Sequence, residues 1–139
     1  MSETAAHCHM CDRVNAREEV IYRDDHFSAF ALADRPGWVL YATNEHSDWM
    51  WGLDPAQAAA FGPFLQRVSS ALKEVADVSH VYYVGLGENG LHFHGILAAR
   101  YEPFAKDIQA ALAQRGVEIA DVERAGAIAT ALRERLASQ

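Results

Sequence analysis

Residues 91–99 read Leu91-His92-Phe93-His94-Gly95-Ile96-Leu97-Ala98-Ala99, directly after the turn-forming run Gly87-Glu88-Asn89-Gly90. A short, largely apolar run following a turn signal predicts a strand from Leu91 to Ala99. On a strand, residues two apart share a face, so His92 and His94 project together and Phe93 turns to the core. A lone histidine is most often a satisfied structural residue. Two on one face beside a glycine-rich turn form a candidate reactive pair. Neutral imidazole, with an unperturbed pKa of about 6.5, is a good nucleophile near pH 7. Attack on phosphorus would give a covalent phospho-histidine and divide one hard displacement into two easier ones. The run from Gly87 to Gly90 offers backbone N–H groups, and Asn89 an amide, to phosphate oxygens.

Upstream, Glu19 to Tyr22 and His26 to Leu32 read as short strands around an Asp24-Asp25 turn. Asp34-Arg35-Pro36-Gly37 is a second turn signal, and Trp38 to Thr43 is rich in β-formers. Asp54-Pro55 announces a helix, because Asp caps free N–H groups and Pro is tolerated in the first turn. Phe61, Phe64, Leu65, Val68, Leu72 and Val75 then form one apolar stripe, read as core. Gly62-Pro63 inside it is expected to kink or delay the helix. His80 to Leu86 is another strand. From Pro103 the pattern turns helical, with Phe104, Ile108, Ala111 and Leu112 on one face and Gly116 as a C-cap. A last helix is expected from about Asp121 to Leu136, with Ile128, Leu132 and Leu136 inward. Strands, helix, strands, helices is the order of an α+β domain with an antiparallel sheet. No linker interrupts residues 1–139, so one domain is expected, with residues 103–139 as a C-terminal helical extension of a core over 1–102.

The chain has 139 residues, half of them apolar, enough for a real core. A formal net charge of -7 argues against wrapping long nucleic acid, which needs a basic surface to displace counterions. A small phosphate ligand held by local N–H groups remains compatible with it. There is no run of about 18 apolar residues, so no membrane span is expected. Residues 1–6 lack the order of a secretory signal, and a cytoplasmic location is expected.

Both cysteines lie in Cys8-His9-Met10-Cys11. A redox Cys-x-x-Cys belongs between a strand and a helix, whereas this one precedes every expected strand. Two inert packed thiols are a further alternative. A structural zinc wants four N or S ligands, and such a knuckle supplies two. His46 and His92, each at a strand end or on a strand, are candidates for the rest. His7 and His9 could replace one of these, but neighbours of a cysteine usually point away. His7, His9, His26 and His80 all read as solvated or locally bonded.

These segments together resemble the histidine triad family of nucleotide hydrolases and transferases, over roughly Cys8 to Arg100. Cys8-His9-Met10-Cys11 is similar to the family's zinc knuckle. Ile21 through Phe30 is similar to its opening hairpin. Pro36-Gly37-Trp38-Val39-Leu40 through His46 is similar to its next strand. Gly87-Glu88 and Leu91-His92-Phe93-His94, on to Arg100, are similar to its motif strand. The resemblance implies a bent antiparallel sheet with one long helix after the third strand, and a homodimer. It implies a structural Zn2+ on Cys8, Cys11, His46 and His92, with His94 attacking the α-phosphate of a small nucleotide and Asn89 contacting phosphate. The family's third motif histidine is Ile96 here, which donates no hydrogen bond. The family's acidic ribose ligand falls near Leu32, with Asp34 as the nearest substitute. Asp34, Asn89 and Gly90 are therefore the candidate substrate contacts. Trp38, Trp49 and Trp51 add aromatic area near the expected pocket, for base stacking or simply for the core. The enzymatic expectation stands beside two alternatives: a nucleotide-binding module without turnover, and an interaction protein held together by zinc.

Overall fold

The computed structural model describes residues 8–85, 87, 91–100 and 121–138. The elements are α1 (His9–Ala16), β1 (Val20–Arg23), β2 (Phe27–Ala31), β3 (Trp38–Thr43), a 3-10 turn (Met50–Gly52), α2 (Pro55–Ala76), β4 (Val81–Val84), β5 (His94–Ala99) and α3 (Val122–Ala137). The five strands form one bent antiparallel sheet in the order β1-β2-β3-β5-β4, an α+β architecture. The expected helix from Pro103, with Phe104, Ile108, Ala111, Leu112 and Gly116, lies outside the described residues.

Two short turns set the register. Asp24 Oδ1 accepts from the His26 and Phe27 amides, both at 2.7 Å, and so closes the β1–β2 turn. At the β2–β3 turn, the Leu32 N–H donates to the Trp38 carbonyl and the Arg35 N–H to the Leu32 carbonyl. Strand alternation then divides the side chains. Phe27, Ala29, Val39, Tyr41, Leu97 and Ala99 join the main core, while Phe30 and Ala42 pack with Val14 of α1 on the other face.

α2 covers the main core with the expected stripe. Phe64, Val68 and Leu72 are buried, and Phe61, Leu65 and Val75 pack partly buried around them. Each buried member contributes about 1.5–3 kcal/mol of transfer free energy. Asp54 and Gln57 form a capping box at its start. Pro63 does not delay the helix, which runs unbroken for 22 residues. Ala59, Gly62 and Pro63 are all exposed, so the carbonyl that Pro63 leaves without a donor meets water. α3 starts on an Asp121 cap and buries Ile128, Leu132 and Leu136 in the same core. It is tied to β1 by Arg133 Nε donating to the Val20 carbonyl and to α2 by an Arg135–Glu74 ion pair, both at 3.0 Å.

One close approach constrains β5. Tyr41 pairs with Gly95 across β3 and β5, and its buried ring lies over the glycine Cα. A Cβ there would collide with the Tyr41 phenol and stand 2.8 Å from the Val84 carbonyl oxygen. Phe61 packs on Tyr41 and hinders its ring from swinging away. Gly95→Ala is expected to cost about 3 kcal/mol, the upper end for overpacking, because one of the clashing atoms is backbone. Urea unfolding measures it; a loss under about 1 kcal/mol would show that the strands slide to make room.

Candidate functional site

The knuckle begins with α1. Cys8 is the N-cap, and its Sγ accepts from the Cys11 amide at 3.4 Å. That turns both sulfurs toward the same point, and the segment is an eight-residue helix. α1 is anchored by Val14 in the small core and by Arg23, whose guanidinium donates to the Val14 carbonyl and to Ser28 Oγ, both at 3.1 Å. Burial, with Arg17 nearby, lowers the Arg23 pKa from its usual value.

Two histidines come to the knuckle from the sheet. β3 ends at Thr43 and leads to His46, while His92 lies just before β5. The sequence placed His92 within the strand; here pairing starts at Ala42 with His94. The Phe93 N–H donates instead to the Ser47 carbonyl at 2.7 Å, which binds this stretch to the loop after β3. Phe93 is buried in the main core as expected.

The donor atoms of Cys8, Cys11, His46 and His92 all lie within 4.8 Å of one another. Cys8 Sγ is 3.3 Å from His92 Nδ1, and Cys11 Sγ is 3.4 Å from His92 Nδ1 and 3.5 Å from His46 Nδ1. Tetrahedral zinc, with Zn–S near 2.3 Å and Zn–N near 2.05 Å, sets S···N separations of roughly 3.5 Å. The opposite ring nitrogens fix the tautomers. His92 Nε2 donates to the Thr43 carbonyl at 2.8 Å, and a carbonyl only accepts, so His92 Nδ1 carries the lone pair. His46 Nε2 faces Asp48 Oδ1 at 3.0 Å, with the same consequence for its Nδ1. Carbonyl and carboxylate partners of this kind orient metal-binding imidazoles. Two sulfurs and two imidazole lone pairs therefore converge in a set that fits zinc. Thr43 and Asp48 are supports that sequence reasoning missed. Asp48, two residues after His46, left a signal; Thr43 left none.

His94 has a different environment. It opens β5, is half-buried, and its Nδ1 donates to the His92 carbonyl at 2.6 Å. A carbonyl acceptor keeps the proton on Nδ1 and leaves the lone pair on Nε2. The Trp49 ring stands nearly perpendicular to the imidazole, at 81° and 5.9 Å between centroids. Trp49 also packs on Phe93 and against Gly87, whose φ of 72° and missing Cβ let the indole approach; a Cβ would meet Trp49 Cη2 at 2.5 Å. Ile96 follows two residues on, half-buried between Leu40 and Val84.

The other candidates divide. Asn89 and Gly90 lie outside the described residues. Asp34 is exposed in the β2–β3 turn, where its carbonyl accepts from the Asp121 amide at 2.8 Å. That turn abuts Ala99, whose N–H donates to the Gly37 carbonyl, five residues along β5 from His94. At about 3.3 Å per residue the structure does not bring Asp34 to His94. Trp38 is buried beneath the Arg35 guanidinium and belongs to the core. Among the described residues, no helix is long and apolar enough to cross a membrane.

The same architecture occurs in solved structures. A Zn-bound histidine triad family protein from Mycobacterium smegmatis matches with a TM-score of 0.71 at 19% identity, over 97% of this chain and 96% of that one. The chain has the histidine triad fold. A histidine triad protein from Bradyrhizobium japonicum matches with a TM-score of 0.71 at 21% identity, over 88% of this chain and 94% of that one. The diadenosine triphosphate hydrolase of Plasmodium falciparum matches with a TM-score of 0.65 at 12% identity, over 87% and 78%. No family model and no curated protein matches the sequence. On this histidine triad fold, the Gly95 approach belongs to a Tyr41 whose phenol burial pushes up to about 12, with Tyr83 adding to the rise. The raised pKa favours the neutral phenol in the folded state. The stabilisation is complete below about pH 10 and is lost as pH climbs towards 12, up to roughly 2–3 kcal/mol. Tyr41→Phe is expected to flatten this alkaline decline in urea titrations between pH 8 and 11. An unchanged slope would mean that Tyr41 titrates like a solvated phenol.

Proposed function

We propose that this chain is a zinc-bearing histidine triad protein of one domain that cleaves or transfers at the α-phosphate of a small nucleotide. The observation that carries this reading is the His94 imidazole, held by the His92 carbonyl with its Nε2 lone pair free. In the proposed step Nε2 bonds to phosphorus as the bond to the leaving group breaks. The bonding pair goes to the leaving group, which takes a proton from water. The ring gains positive charge, and the Nδ1–H to carbonyl bond offsets it. Water then attacks phosphorus, the P–N pair returns to the imidazole, and a nucleoside monophosphate leaves. The Plasmodium neighbour, a diadenosine triphosphate hydrolase, supports the substrate class.

Cys8, Cys11, His46 and His92 would hold structural zinc, which supplies charge to fix the knuckle against the sheet. Asn89 and Gly90 remain candidate phosphate contacts; Asp34 has weaker support because of its distance along β5. A homodimer in the cytoplasm, binding no long nucleic acid, completes the reading. Incubation with a nucleoside phosphoramidate or dinucleoside polyphosphate tests it, with cleavage and a trapped adduct on His94 expected. Ile96 favours a second reading, a binding module without turnover: AMP would raise the melting temperature and neither substrate would be cleaved.

A further inference from the structure

Trp51 is 81% exposed and Met50 54% exposed, both in the 3-10 turn that follows Trp49. A large aromatic side chain left in water is uncommon without a partner to cover it. The Trp51 ring lies 6.4 Å from that of Trp49, which itself lies 5.9 Å from the His94 imidazole. The three rings form a stair from the half-buried His94 to open solvent. A second apolar surface flanks His94 along the sheet, made by half-buried Leu40, Ile96 and Val84.

A two-step displacement distinguishes these surfaces. The nucleotidyl group stays on the enzyme until the second step, so it is best held on the recessed sheet. The leaving group must depart first, with the nucleotidyl group still attached, and needs a route open to water. We infer that Trp51, stepping outward from Trp49, is the subsite for an aromatic leaving group on phosphorus. This rests on the proposed attack by His94 and deepens it by naming the class of substrate: a nucleotide whose departing group carries a planar ring. Offset or edge-to-face ring contacts at such a step give roughly a 3- to 10-fold preference.

The test compares kcat/KM for adenosine 5′-phosphoramidates of 4-phenylbutylamine and of butylamine, whose basicities match because the longer alkyl chain insulates the nitrogen from the ring. Wild type is expected to prefer the aryl substrate about 3- to 10-fold. The ratio should fall toward one in Trp51→Ala and survive in Trp51→Phe. Trp51 is exposed, so neither substitution disturbs the core, and a melting curve checks that both variants fold. A ratio near one in wild type, or unchanged in Trp51→Ala, overturns the inference and leaves the proposed function standing. Weaker product inhibition by AMP in Trp51→Ala, with the ratio intact, assigns the ring to the nucleobase and also overturns it. Wild type that cleaves neither substrate overturns both.

Discussion

Stripping the metal from zinc-loaded protein is expected to lower the melting temperature by at least about 10 °C, and His92→Ala is expected to match it. The donor set closes long loops: Cys8 and Cys11 lie 84 and 81 residues from His92, and Cys11 lies 35 from His46. A bound metal would therefore join α1, the loop after β3 and the approach to β5, and its binding energy would offset the entropy that closing these loops costs the chain. His92 is only 1% exposed and bridges the cluster to Thr43 through its two nitrogens. Its loss would remove a candidate ligand, leave a cavity and strip the Thr43 carbonyl of a donor. About 4 kcal/mol is a conservative sum, and roughly 3 °C per kcal/mol applies to a domain of this size. Metal analysis before and after chelation, paired with calorimetry, measures both effects. A metal-free preparation that melts normally would sink the zinc assignment, as would equal losses in His92→Ala and His94→Ala.

The parts of this fold legible in sequence were those with a local physical cause. Trp38 to Thr43 is a strand with the expected ends because β-formers fill it and a turn precedes it. α2 starts where Asp54 and Pro55 place it, and its stripe faces the core as 3.6-residue spacing requires. Two expectations gave way, one for a non-local reason and one for a local reason. His92 is outside β5 because the Phe93 amide is taken by Ser47, a residue 46 positions earlier that no periodicity could indicate. Pro63 does not interrupt its helix because it falls on the wet side, a matter of phase within the stripe. The candidate site divides similarly. Spacing picked out the Cys-x-x-Cys and the two histidines of the motif as separate clusters. What makes His92 and His94 different is which nitrogen each commits to a backbone carbonyl, Nε2 in one and Nδ1 in the other. Asp34 was offered on a count along the chain, and the antiparallel hairpin carries it to the far end of β3.

His94→Ala is expected to reduce kcat/KM for a nucleoside phosphoramidate by 10³-fold or more, and to shift the melting temperature by less than about 3 °C. The proposed nucleophile is half-buried, and truncation forfeits one hydrogen bond and one ring contact, worth about 1 kcal/mol together. The chemical loss is larger, because without Nε2 the displacement reverts to direct attack by water. A fall in kcat with AMP affinity retained would locate the effect in the transition state rather than in binding. A variant that still forms a nucleotidyl adduct would transfer the role to another residue. Ile96 sharpens the expectation. Two residues from His94 on the same strand face, it has no proton to give a departing oxygen or amine. Cleavage in the wild type should therefore depend steeply on leaving-group basicity. Ile96→His should flatten that dependence, because an imidazole there can protonate the poorer leaving groups while leaving the attack of His94 unchanged.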